Sequence, residues 1–167
     1  MSIRSSVECL FWSSHQFAAK IKISIVLKGI QKQGYSRMKP FPIGKVEKRM
    51  LDFAYNNGIY ISGNLLYISS KSIIHSRRQT KISKAIAVSE AELISFPTRR
   101  KQMELYYEIS ANMFIYLDRI NKAKYVIHPS YEIKIGRLLS KKIMFVTATR
   151  IKSTCNYNKN NSCYIKI

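Results

Sequence analysis

Carboxylates are the scarcest chemical groups in this chain: 9 Asp and Glu stand against 29 Lys and Arg among 167 residues, a formal charge of +20. Two-metal phosphodiester cleavage needs several Asp or Glu oxygens converging on Mg²⁺, so a dense acidic centre is not expected. Cysteine is sparse as well. Cys9, Cys155 and Cys163 are odd in number and form neither a C-x-x-C pair nor a Cys/His cluster at zinc-ligand spacing, which disfavours a disulfide scaffold or zinc site and suits a reducing cytoplasm. No apolar run reaches the roughly 18 residues of a membrane span, because Lys20, Lys22 and Lys28 interrupt residues 17–30. An integral membrane protein is therefore not expected. Glu8 and His15 likewise break the apolar block of a secretory signal. A Walker loop, G-x-G-x-x-G, H-E-x-x-H and internal repeats are missing too, which removes the usual support for an ATPase, a dinucleotide enzyme or a zinc protease.

What remains is a foldable polycation. With 46% hydrophobic and 11% aromatic residues the chain can build a core, so its charge sits on a fold and not on a disordered tail. Self-repulsion on that scale is relieved by a polyanion, and nucleic acid is the expected partner. The excess sharpens towards the C-terminus. After Glu132 no acid follows, whereas Lys134, Arg137, Lys141, Lys142, Arg150, Lys152, Lys159 and Lys166 do.

The punctuation predicts an α+β domain: short N-terminal helices followed by a mainly antiparallel sheet of about four to five strands. Residues 1–37 read as a basic extension, helical or appended, with an amphipathic segment from His15 to Ile30. Pro40 and Pro42 mark the start of a single domain over residues 38–152. Within it the spacing predicts a helix over 45–55, a hairpin over 59–68, and a Ser-capped helical turn over 71–78 followed by a loop at 80–84. Ser89-Glu90-Ala91-Glu92 has the pattern of a capping box and predicts a helix from Glu90 to Phe96, ended by Pro97. Strands are expected over 103–109, 113–118, 124–128, 131–135 and 142–151. Residues 153–167 read as an Asn/Lys-rich tail.

Two chemistries compete for this sequence. Asp118 with Glu132-Ile133-Lys134 has the D…E-x-K pattern of restriction-type nucleases, although an exposed strand pair of opposite charges explains it equally well. RNA offers a route with no bound metal, since its own 2′-hydroxyl attacks the adjacent phosphate once a base takes the proton and cations stabilise the phosphorane. His75-Ser76-Arg77-Arg78-Gln79-Thr80-Lys81 gathers such groups, and a helix sets His75 beside Arg78. His128 stands at a strand end. Thr147 and Thr149 share one strand face, with Arg150 on the other. Tyr106, Tyr107, Tyr116, Tyr125 and Tyr131 are candidates for stacking on unpaired bases.

The order helix, strand pair, His75-x-Arg77-Arg78, capped helix, Pro97 and a run of strands ending Phe145-Val146-Thr147-Ala148-Thr149-Arg150-Ile151 resembles the phage-associated branch of the barnase, EndoU, colicin and RelE-type ribonuclease superfamily over roughly residues 59–151. The resemblance implies helices on an antiparallel sheet, metal-independent RNA cleavage by a toxin or mobile-element effector, no cofactor, and an acidic antitoxin or immunity partner. It implies catalytic roles for His75, for Arg77 or Arg78, and for Thr147 or Thr149. Where members of that branch carry a second His, this chain has Gln79. Lys81, Lys134, Lys142 and Arg150 are the expected nucleic-acid contacts. The alternative is a non-catalytic basic RNA- or DNA-binding protein, such as a ribosome-associated or mobile-element accessory factor.

Overall fold

Helix α1 (Ile3–Gln31) is apolar on more than one side, so it buries Ala19, Ile23, Val26 and Leu27 while Phe17, Ile21 and Ile25 stay exposed. A computed structural model describes residues 3–31 and 38–167, and the expected junction at residue 37 lies outside them. The described part of the N-terminal segment is thus helical, and Ala19, Ile23, Val26 and Leu27 place it in the main core, not as an appendage to it. There follow β1 (Phe41–Lys45), α2 (Lys48–Asn56), β2 (Leu65–Ile68), α3 (Ser70–Ser76), α4 (Gln79–Ser83) and α5 (Glu90–Arg99). A 3-10 turn (Arg100–Gln102) leads into β3 (Glu104–Glu108), β4 (Met113–Asp118), β5 (Ala123–Ile135), β6 (Leu138–Arg150) and β7 (Tyr164–Lys166). The chain is α+β. Among the described residues no helix is long and apolar enough to cross a membrane.

The sheet is larger than expected, with seven strands in the order β1-β2-β6-β5-β4-β3-β7, and it is mixed because β2 runs parallel to β6. Two strand expectations fail. The hairpin over 59–68 does not form: residues 59–64 are a loop, and β2 pairs instead with β1. Pro42 is tolerated in β1 because that strand is the sheet edge, where a missing amide donor costs little. The two strands expected over 124–135 are one, interrupted by a bulge at Pro129-Ser130. Residues 80–84, expected as a loop, instead fall in the helical turn α4 and its C-cap Lys84.

The α5 capping box forms: the Ser89 hydroxyl accepts from the Glu92 amide at 3.1 Å and the Glu92 carboxylate accepts from the Ser89 amide at 2.6 Å. Pro97 does not end that helix. The helix continues to Arg99, because unwinding it would withdraw Phe96 and Arg100, both fully buried, and that outweighs one lost hydrogen bond. Phe96 stacks on Tyr125 with centroids 4.4 Å apart and meets Tyr116 edge-on at 5.8 Å. Alternation along β4 separates two layers: Phe114 and Tyr116 face the helices, while Ile115 and Leu117 face a second cluster with Tyr106 and Tyr157. Residues 153–167 are therefore more than a tail, since Tyr157 is buried on the second face and β7 pairs with β3.

Candidate nucleic-acid site

Strand β2 is short, and that sets the local geometry. It pairs with β6 only at Ile143 and Met144, so the remainder of that β6 edge needs other partners. Helices α3 and α4 and the segment that follows them supply them. The Ser76 hydroxyl accepts from the Ala148 amide at 2.9 Å, Lys81 Nζ donates to the Ala148 carbonyl at 3.0 Å, and the Ile86 carbonyl accepts from the Arg150 amide at 2.7 Å. Lys81 Nζ also donates to the Thr147 hydroxyl at 2.6 Å. Lys81 is only 6% exposed, so a residue expected to contact nucleic acid is first a stand-in for a missing strand.

Beside this edge lies a groove of about 500 Å³ with walls from α3 (Lys71, Ser72, His75), β5 (Tyr131, Glu132, Lys134) and β6 (Met144, Val146). Ser69 caps α3 by accepting from the Ser72 amide at 3.1 Å, and the four-residue spacing puts Lys71 and His75 on one helix face. Burial first, and then the charges of Lys81, Arg78 and Lys71, hold the His75 imidazole below its ordinary pKa and favour its neutral form. Burial, followed by Arg78 and Lys124, lowers Lys81 to about 8. His128 is near: its Nδ1 accepts from the Ser130 amide at 3.0 Å, its ring meets Tyr131 edge-on at 5.6 Å, and burial lowers its pKa.

The expected site residues divide. His75 and Lys134 line the groove; Lys81 and Arg78 act on His75 through their charge, and Lys81 holds Thr147, next in sequence to the groove residue Val146. Arg77 turns away, donating to the Val88 carbonyl at 2.8 Å and lying 4.0 Å from the Glu90 carboxylate. Thr149 donates to the Ile86 carbonyl at 3.1 Å, and Arg150 is committed to Glu92 at 2.6 Å and to the Asn121 carbonyl at 2.8 Å. Lys142 lies 5.1 Å from the Tyr67 ring centroid. Of the five tyrosines offered for stacking, Tyr106, Tyr116 and Tyr125 are fully buried and Tyr107 packs on Phe53 and Phe114; Tyr131, 39% exposed, faces the groove. Lys71 and Lys124 carry no motif, but Lys71 is legible as the residue one helical turn before His75.

The D…E-x-K arrangement does not assemble. Asp118 pairs with Ala123 at one end of β5 and is bound to Arg99 and Asn121, whereas Glu132 lies nine residues further along, about 30 Å away. Among the described residues no three His, Cys, Asp or Glu side chains stand close enough to share a metal ion. A second hollow of about 580 Å³ between the C-terminal segment and β3 is lined by Arg119, Lys159 and Lys166, but Arg119 and Lys166 both bind Glu104. Comparison with protein-family models, curated proteins and solved structures finds no match for this chain.

Proposed function

We propose that this is a metal-independent endoribonuclease-like domain, a toxin or mobile-element effector acting on RNA at the His75 groove. One observation carries the reading: the His75 imidazole lines a concave site with Lys71 and Lys134 in its walls and the charges of Arg78 and Lys81 reaching it, which favours its neutral form. A neutral imidazole can take a proton, and the cations stabilise the charge that grows on phosphate as it does so.

In this reading His75 takes the proton from a ribose 2′-hydroxyl. The 2′-oxygen then attacks the neighbouring phosphorus, and the bond to the departing 5′-oxygen breaks. Lys81, acting through the Thr147 hydroxyl it holds, returns a proton to that oxygen; Arg78 and Lys134 hold the phosphate. Tyr131 receives a base. The products are a 2′,3′-cyclic phosphate and a free 5′-hydroxyl. Purified protein incubated with RNA in excess EDTA gives these ends, and His75→Ala abolishes them.

A second reading rests on the structural duty of Lys81, whose amine is already satisfied by Thr147 and Ala148. If edge repair is its whole role, the groove binds RNA without cutting it. Tight, salt-sensitive binding that leaves RNA intact after long incubation selects this reading.

A further inference from the structure

Strands β5 and β6 outrun the sheet. β4 accompanies β5 only as far as Ile127 and β2 accompanies β6 only at Ile143 and Met144, so residues 131–142 pair with nothing but each other. The result is a free two-stranded ribbon about 17 Å long, from the Tyr131–Lys142 pair to a turn at Gly136-Arg137. Gly136 takes φ +63, a conformation open to glycine, which keeps this turn tight.

The ribbon carries Lys134, Arg137, Lys141 and Lys142 against the single carboxylate of Glu132. Leu138 and Leu139, at its tip, are 75% and 66% exposed. Its base is also the groove wall, because Tyr131, Glu132 and Lys134 belong to both. A backbone lying in the groove therefore continues along the ribbon.

We propose that the β5–β6 ribbon grips a double-stranded segment of the RNA, so that the substrate is a stem with an unpaired segment beside it in the His75 groove. This deepens the ribonuclease reading and rests on it. Single strands are held by stacking on aromatic platforms, and from Glu132 to Lys142 the ribbon has none. What it has is a narrow ladder with cations on both strands, which suits the two phosphate rows flanking the shallow groove of an RNA duplex. Leu139, which shares a ribbon face with Lys134 and Lys141, lies against ribose and base edges in that groove, and Leu138 extends the apolar tip on the opposite face. Tyr131, at the foot of the ribbon, is the aromatic that suits the unpaired segment.

The test compares a stem–loop RNA with an unstructured RNA of equal length, using wild type, Arg137→Gln with Lys141→Gln, and Leu138→Ser with Leu139→Ser. All four positions are solvent-facing, and thermal melts check that the variants remain folded. The charge variant is expected to bind the stem–loop about tenfold more weakly at moderate salt and to flatten the log-affinity against log-salt slope by about 2. Its affinity for unstructured RNA changes less than about threefold, and cleavage shows a raised KM with kcat unchanged. The leucine variant weakens stem–loop binding with the salt slope unchanged. Equal losses on both RNAs, no loss on either, or leucine substitutions that alter only the protein's self-association overturn the proposal. A wild type that discriminates stems through the ribbon yet never cleaves RNA would end the ribonuclease reading while leaving the arm standing.

Discussion

The Lys81 ammonium donates to the Thr147 hydroxyl at 2.6 Å across 66 positions of sequence, joining the helical turn after α3 to the last paired stretch of β6. The same amine satisfies the Ala148 carbonyl, so one side chain supports the sheet edge and faces His75 electrostatically. Replacing Lys81 with Met leaves that carbonyl without a partner and should cost about 1–3 kcal/mol in denaturant unfolding. Lys81→Gln, which keeps a donor, should cost less.

Lys81 also makes stability depend on pH. Its folded pKa, about 8, lies below the ordinary value of 10.5, so between these limits the unfolded chain holds a proton that the folded chain has released. Stability attributable to this residue must then rise with pH across that window. The wild-type minus Lys81→Gln difference in unfolding free energy, followed from pH 8 to 10.5, measures it; a flat or falling difference contradicts the assignment.

Cleavage should follow a bell-shaped profile. Rates rise as His75 loses its proton, with a midpoint below 6.5, and fall near pH 8 as Lys81 loses its charge. Lys81→Arg, which stays charged but is too weak an acid to return the proton, should lower the rate at every pH and move the alkaline limb out of range while the acid limb keeps its midpoint.

Arg150 and Lys134, two cations expected to touch nucleic acid, should now behave differently. Arg150 is tied to Glu92, whereas Lys134 is exposed in the groove wall. Arg150→Gln should lower the melting temperature while nearly preserving RNA affinity, and Lys134→Gln should do the reverse. Affinity titrations and thermal melts on the two variants separate these effects.

Beneath the helices, Arg100 has no exposure and donates to Glu47 and to the Lys45 carbonyl, both at 2.6 Å. Arg100→Met strands the Glu47 carboxylate and should cost about 3–5 kcal/mol, part of it recovered by adding Glu47→Gln. Gly44 lies against this guanidinium with φ +141, and a Cβ there would come within 2.8 Å of Arg100 Nη2. Gly44→Ala should therefore destabilise by about 1–3 kcal/mol in urea unfolding.

The local features were legible in the sequence. The Ser89 box and the Ser69 cap depend on residues within one turn of each other, whereas the expected helical pairing of His75 with Arg78 does not form, because α3 ends at Ser76 and Arg78 is extended ahead of α4. Features created by distant pairing were not. Phe41–Lys45 reads as proline punctuation until β2 arrives beside it, and the seventh strand exists only because β3 offers an edge. Alternation marks Tyr106 as facing away from the main core, but no local pattern says that Tyr157 will return to cover it. Lys81 reads as a surface cation because the orphaned edge of β6 that recruits it appears only after β2 has stopped short. Arg77 and Arg150 read as phosphate ligands for a similar reason, since the carbonyls and carboxylates that claim them come from other elements.

The account depends most on His75 drawing a proton from the RNA itself. The direct measurement is cleavage, in excess chelator, of an oligonucleotide whose mapped cleavage site carries a single 2′-deoxy substitution. The account predicts that cutting stops at that site alone and continues elsewhere. Undiminished cutting there, or cutting that needs an added divalent ion, contradicts it.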